Sequence, residues 1–168
     1  MQNTGIYAAH RPYPSLNAIS TDPRFAAKLE PLRISKLNSI SDYLYESIIF
    51  ENVYPWLSTL LEGIANVEAR HFKMLSTLIS RLGGDPAINC HMRNIPIDIS
   101  ENTNSIAPRV ARRILTQAIS REKNTATEYR NLSESCKDKK IGDILMRIAE
   151  DEDIHINILD TAYNRITV

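Results

Sequence analysis

Apolar residues recur at helical spacing in four long stretches of the chain, and this pattern predicts four helices. We expect them at about residues 26–51, 55–82, 107–136 and 141–165. Pro55 stands where a helix commonly begins, and Gly83 with Gly84 provides a stop at the end of the second helix. Residues 1–25 have no sustained periodicity, so we expect an extended N-terminal arm over a helical domain at 26–168.

The connections between the predicted helices differ in length, and this difference predicts the topology. The first and second helices are joined by a short turn, as are the third and fourth, so each pair should be antiparallel. Residues 85–108 contain no helical stripe long enough to fill that gap, and they form a long link between the pairs. The sequence therefore predicts an all-α four-helix bundle with one long crossover, between the second and third helices.

Ionisable residues interrupt the apolar faces of three predicted helices. Positions spaced alternately by three and four residues mark the face that a helix turns to its partners. In the second helix this series is Leu57, Leu61, Ile64, Glu68, His71, Leu75, Leu78 and Leu82. In the fourth helix it is Ile141, Leu145, Ile148, Glu152, His155, Leu159 and Ala162. Glu122 holds a corresponding position in the third helix, so three carboxylates and two imidazoles are predicted inside the bundle.

The spacing of these residues indicates metal binding. A buried carboxylate requires a compensating cation, proton or hydrogen bond, because an isolated charge is costly in a low-dielectric interior. A glutamate and a histidine three residues apart share one helical face and can bind the same ion. Both Glu68-Ala-Arg-His71 and Glu152-Asp-Ile-His155 have this spacing. The alternative is an ordinary helical domain whose inward face lies one residue away from the series given above.

Composition narrows the functional classes. The 20 basic and 20 acidic residues give a net charge of zero, so no overall field favours nucleic acid or an anionic membrane. Cys90 and Cys136 are too far apart in the sequence for a Cys-x-x-Cys metal-binding motif, and two cysteines give no disulfide framework. There is no apolar run of membrane-spanning length and no leader-like N-terminus. We expect a cytoplasmic protein with no nucleic-acid or membrane partner.

The two motifs resemble the ferritin-like di-metal carboxylate superfamily, in particular the small proteins related to rubrerythrin and manganese catalase. The resemblance covers about residues 30–163 and includes Gly63-Ile-Ala-Asn-Val-Glu68-Ala-Arg-His71, Leu82-Gly-Gly-Asp-Pro86, and Glu122 followed by Tyr129. It implies that Glu68 and Glu152 are bridging ligands, that His71 and His155 are terminal ligands, and that Glu122 is a terminal carboxylate. It also implies iron or manganese as the cofactor, with zinc compatible with the same ligands, and chemistry on peroxide or dioxygen.

Lys36 stands where the resemblance implies a sixth ligand, a glutamate on the first helix. Four carboxylates balance two divalent ions, whereas three carboxylates and one ammonium leave two negative charges, which one divalent ion neutralises. We therefore expect a metal-poor or one-metal site in which the ammonium replaces the ion otherwise held by His71. The remaining ion would bind Glu122, Glu152 and His155.

Two properties of Lys36 stay open at this point. It shares a face with Ile40 and Tyr43, but a competing apolar stripe that includes Leu44 and Ile48 would turn it towards solvent. Burial beside a metal would favour loss of its proton, in which case it would be a neutral ligand or a catalytic base in a two-metal site. The number of ions, one or two, follows from this choice.

Two functional hypotheses follow. The first is a ferritin-like metal-binding oxidoreductase that acts on hydrogen peroxide or dioxygen at a site with one altered ligand. The second is a metal-free or metal-poor structural bundle in which Lys36 pairs with the former ligands and the protein acts through its surface. In both we expect a homo-oligomer, most simply a dimer. In the second, the protein would act as a dimer or as a component of a larger coat or shell, and exposed Trp56, Tyr54 and the tyrosines of the arm would contribute to its contacts.

Overall fold

The computed structural model describes residues 6–17, 19–88 and 108–167. It contains four helices in this part of the chain: α1 (Pro23–Phe50), α2 (Pro55–Arg81), α3 (Pro108–Ser135) and α4 (Lys139–Arg165). No strand occurs among the described residues. The predicted all-α four-helix bundle is confirmed.

Two helices begin earlier than the periodicity indicated, because aspartate caps lie before the first apolar position. Asp22 accepts a hydrogen bond from the backbone N–H of Phe25, so α1 begins at Pro23 and not near residue 26. Asp138 accepts a hydrogen bond from the backbone N–H of Lys140, so α4 begins at Lys139, inside the short turn that was expected between residues 136 and 141. The division into an arm at 1–25 and a domain at 26–168 stays a prediction.

The helices pack chiefly as two pairs, α1 with α2 and α3 with α4, as the short connections predicted. Of the link between α2 and α3, residues 89–107 lie outside the described residues, and so do Cys90 and His91. The start of this link is fixed by the buried Arg33, whose guanidinium donates to the carbonyl oxygens of Pro86 at 2.7 Å and Ala87 at 2.8 Å.

A polar layer separates two apolar clusters in the core. One cluster includes Leu61, Ile64 and Leu159, and the other includes Leu75 and Ile148. The charged positions of α2 and α4 lie between these clusters along each helix, and they are fully buried. The bundle therefore encloses a compact group of ionisable side chains with hydrophobic packing on both sides.

The segment before α1 lies along the outer face of α2 and α4. Tyr7 packs against the first apolar cluster and Tyr13 against the second, and Ala8 is buried. Tyr54 and Trp56 are also half-buried against the core, so the expectation that these aromatic residues are freely exposed was wrong. Among the described helices, none is both long enough and apolar enough to cross a bilayer.

Candidate metal centre

The two Glu-x-x-His pairs lie on the inward faces of α2 and α4, at the same level of the bundle. Glu68, His71, Glu152 and His155 have no exposed surface. The δ nitrogen of His71 lies 3.1 Å from Oε1 of Glu152, and that of His155 lies 3.2 Å from Oε1 of Glu68. Each histidine therefore faces the glutamate of the opposite helix, and the two motifs form one cluster.

Lys36 enters the cluster from α1. Its Nζ atom lies 2.7 Å from Oε2 of Glu68 and 2.6 Å from Oε2 of Glu152, and the residue is 1% exposed. Leu44 and Ile48, in the competing stripe, are 46% and 68% exposed, so the inward orientation of Lys36 is the one found. The ammonium thus lies between the two glutamates that the resemblance identified as bridging ligands.

The charges around Lys36 determine its protonation. Burial alone would lower the pKa of this amine. The nearby carboxylates of Glu152 and Glu68 raise it by more than burial lowers it, so the pKa of Lys36 lies well above its ordinary value of 10.5. Lys36 is therefore an ammonium ion in the metal-free site. The same pairing holds the pKa of Glu68 well below its usual range, although burial alone would raise it.

Glu122 reaches the cluster from α3. Its Oε2 atom lies 3.8 Å from Nδ1 of His155, and its Oε1 atom accepts a hydrogen bond from the hydroxyl of the buried Tyr43. Burial raises the pKa of Glu122, but the nearby Glu152 and His155 lower it to about 2. Burial and the charge of Glu68 raise the pKa of Glu152 to about 8, so of these two carboxyl groups Glu152 is the one that takes up a proton.

Both histidines are positively charged when no metal is bound. Burial lowers the pKa of each imidazole, but the surrounding carboxylates raise it to about 10 for His71 and about 10 for His155. The ε nitrogen of His71 lies 3.0 Å from Oδ2 of Asp151, and that of His155 lies 3.0 Å from the carbonyl oxygen of Tyr7. Both rings are therefore held from outside by acceptors, with Nδ1 towards the cluster.

Four of the predicted ligands form a group that could hold an ion. One ligand atom from each of Glu68, Glu122, Glu152 and His155 lies within 4.8 Å of every other, and all four residues are buried. His71 is not a member of this group, which is the only one found among the described residues. The structure thus brings together all five predicted ligands, and Nδ1 of His71 lies 3.1 Å from Oε1 of Glu152 and 3.8 Å from Oε1 of Glu68.

The donor atoms of this cluster are incompletely satisfied, which is what a metal site requires. Several buried atoms have short ion-pair distances but no hydrogen-bond partner among the described residues. They are Oε1 and Oε2 of Glu68, Oε1 of Glu152 and Nδ1 of His71 and His155. Lys36 compensates Oε2 of Glu68 at 2.7 Å, but the other atoms are costly to bury unless an ion or water compensates them. Carboxylate oxygens and imidazole nitrogens suit iron, manganese and zinc, so the residues fit one such ion.

Three functional neighbours were missed by the sequence analysis: Asp151, Arg147 and the hydroxyl of Tyr43. Asp151 is fully buried, accepts from the hydroxyl of Tyr13 and pairs with Arg147. It lies one position away from the inward series, so periodicity assigned it no partner. The available indication was the spacing of Arg147 and Asp151, four residues apart on one helix, which permits an ion pair.

Tyr129 is a core residue with no exposed surface. Its hydroxyl has no hydrogen-bond partner among the described residues, and its ring centroid lies 5.6 Å from Nζ of Lys36. The ring therefore covers one side of the ammonium and adds to the enclosure of the cluster.

Comparison with known proteins supports this assignment of the fold. The family model for rubrerythrin matches residues 39–163. No curated protein matches the chain. The match includes both Glu-x-x-His motifs and Glu122, and it begins three residues after Lys36. The chain belongs to the rubrerythrin family of ferritin-like di-metal carboxylate proteins.

Proposed function

We propose that this protein binds a single divalent metal ion through Glu68, Glu122, Glu152 and His155. In this proposal the ammonium of Lys36 takes the place and the charge of the second ion. The observation that carries it is the position of Nζ, 2.7 Å and 2.6 Å from the two glutamates that would otherwise bridge two metals. A second ion would have to displace a buried cation held by both.

Charge balance supports one ion. Glu68, Glu122 and Glu152 contribute three negative charges when ionised, and Lys36 contributes one positive charge. The remaining two negative charges match one divalent cation, provided that Glu152 is ionised and that the rings of His71 and His155 are neutral. Because the pKa is about 10 for His71 and for His155 and about 8 for Glu152 in the metal-free site, metal binding at neutral pH must release a proton from each of them.

The role of Lys36 as a neutral ligand or catalytic base has less support. It would require the loss of a proton that two carboxylates hold in place, as the raised pKa of Lys36 indicates. Iron or manganese bound at this site would supply one-metal redox or Lewis-acid chemistry. The peroxide- or dioxygen-dependent oxidoreductase activity expected from the resemblance stays a prediction, and peroxide consumption by protein loaded with either metal tests it.

A metal-free structural bundle is the second candidate, and the ion pairing favours it. With both histidines protonated, the buried cations Lys36, His71, His155 and Arg147 face the buried anions of the same layer at short distances. The protein would then act through its surface, and the expected homodimer stays a prediction. Chelation would leave the melting temperature of such a protein unchanged.

A pair of histidine variants tests the one-metal proposal. His71→Ala and His155→Ala each remove a fully buried imidazole from the same cluster, so each is the control for the other's effect on folding. Zinc stoichiometry is measured by elemental analysis after dialysis, with far-UV circular dichroism to verify the fold. We expect His71→Ala to retain about one ion per chain and His155→Ala to lose it. Equal zinc retention in the two variants would contradict the proposal.

A further inference from the structure

The segment before α1 makes an unusually polar contact with the outer face of the cluster. The backbone N–H of Ala9 donates to Oδ1 of Asp151 at 2.7 Å, and Nη2 of Arg147 donates to the carbonyl oxygen of Ala9 at 2.6 Å. Arg147 also donates to the carbonyl oxygen of Arg11. We call residues 7–13 the strap. Its backbone is fixed by a buried ion pair on α4.

On the side away from the cluster, the ε nitrogen of each histidine has an acceptor that the strap either provides or holds in place. The ε nitrogen of His155 lies 3.0 Å from the carbonyl oxygen of Tyr7. A carbonyl oxygen can only accept, so this nitrogen carries a proton and Nδ1 is the one available to a metal. The hydroxyl of Tyr13 donates to Oδ2 of Asp151, which is 3.0 Å from the ε nitrogen of His71. One continuous segment thus fixes the orientation of both imidazoles.

Gly63 shows how closely the strap is fitted to α2. A Cβ atom at this position would lie 2.3 Å from Cζ of Tyr7 and 2.5 Å from Cε2, much closer than real contacts allow. Gly63 lies inside a helix, where glycine is less favourable than alanine. The close approach of the Tyr7 ring is therefore the reason that the structure gives for glycine here.

We propose that the strap is a positioning element of the metal site, and that its docking and metal binding are coupled. This inference rests on the proposed function. Outer hydrogen bonds of ligating histidines fix the ring and its tautomer, and their loss typically weakens metal binding about 10- to 100-fold. Coupling between two binding events is reciprocal, so an ion that is held better with the strap docked must also hold the strap in place.

The first test measures hydrogen exchange of the Ala9 amide in the wild-type protein with and without Zn²⁺. This amide reports strap docking directly, because its hydrogen bond to Asp151 is made only while the strap lies on α4. We expect saturating Zn²⁺ to slow its exchange at least 10-fold, on the scale of the affinity change above. Unchanged exchange with Zn²⁺ bound would overturn the inference but leave the proposed function intact.

The second test disturbs the packing of the strap on α2 without altering a ligand. Gly63→Ala forces the Tyr7 ring away from α2. Gly142→Ala is the matched control, since its Cβ atom would meet Ser133 Oγ at 3.2 Å, where a shift of a few tenths of an ångström in this α3 side chain relieves the contact. We expect Gly63→Ala to speed Ala9 exchange and to weaken Zn²⁺ binding about 10- to 100-fold, with Gly142→Ala unchanged. Fast Ala9 exchange with wild-type Zn²⁺ affinity in Gly63→Ala would show that the strap only covers the bundle.

A spectroscopic readout separates positioning from general stability. In the Zn²⁺-loaded protein, ¹⁵N correlation spectra should show the metal on Nδ1 of His155 and a slowly exchanging proton on its ε nitrogen. In Gly63→Ala we expect this ε proton of His155 to exchange rapidly with solvent. If wild-type protein takes up no Zn²⁺, the proposed function fails and the coupling fails with it. Zn²⁺ uptake combined with an unaffected strap refutes the coupling alone.

Discussion

Replacing Lys36 by methionine should destabilise the metal-free protein strongly. The substitution keeps the length and much of the volume of the side chain but removes the cation that lies 2.7 Å and 2.6 Å from Glu68 and Glu152. Removing one partner of a buried ion pair costs about 3–5 kcal/mol, because the other charge is left uncompensated. For a chain of this size, that loss corresponds to a fall in melting temperature of about 6–20 °C. Urea unfolding of chelator-treated protein measures it.

The same variant gives two further signatures that a general packing defect would not. Glu152 and Glu68 can reduce the penalty by taking up a proton, so the loss of stability should be larger at pH 9 than at pH 6. A divalent ion should restore stability, by about 2.7 kcal/mol at a concentration 100 times its dissociation constant. Lys28→Met, an exposed position on the same helix, is the control and should change stability little. A loss below about 1 kcal/mol for Lys36→Met would refute the counter-ion role of Lys36.

Two other perturbations test the electrostatics of the site. Tyr43→Phe removes the hydroxyl that donates to Glu122 and should lower the free energy of unfolding in urea by about 1.5–3 kcal/mol. Tyr45 is more exposed, so Tyr45→Phe is the control and should change this free energy little. Equal effects of the two substitutions would contradict a stabilising role of the Tyr43–Glu122 hydrogen bond. The stability of the metal-free protein should fall as pH rises from 6.5 towards 10. His71 and His155 have pKa values of about 10 in the folded protein and 6.5 in the unfolded chain. Their contribution to stability is therefore complete below pH 6.5 and is lost as the two imidazoles deprotonate in the folded protein. Unfolding free energies that stay constant from pH 6.5 to 9.5 would contradict the raised pKa values.

Helical periodicity was sufficient to predict the bundle and the group of residues at its centre. Glu68 and His71 follow the apolar series of α2 in phase, so their burial could be inferred from spacing alone. The orientation of Lys36 could not, because α1 carries two competing stripes and the contacts with Glu68 and Glu152 come from other helices. The helix starts at Pro23 and Lys139 depend on caps, which lie outside the apolar pattern.

The contribution of the N-terminal segment was beyond the reach of the sequence. The arm was expected to lie over the domain, but nothing in residues 7–13 indicates that a backbone carbonyl contacts His155. Such contacts are made by atoms that every residue possesses, so they leave no pattern of side-chain types. Asp151 was missed for a related reason: it faces the strap and not the bundle centre, and inward periodicity therefore gives it no role.

The number of metal ions per chain tests the central claim most directly. Wild-type protein and Lys36→Glu are produced with iron and manganese supplied, and the metal content of each is measured by elemental analysis. Restoring a carboxylate in place of the ammonium changes the net charge of the ligand set by two units. We predict about one ion per chain in the wild type and about two in Lys36→Glu. Two ions in the wild type, or the same number in both proteins, would contradict the replacement of a metal by Lys36.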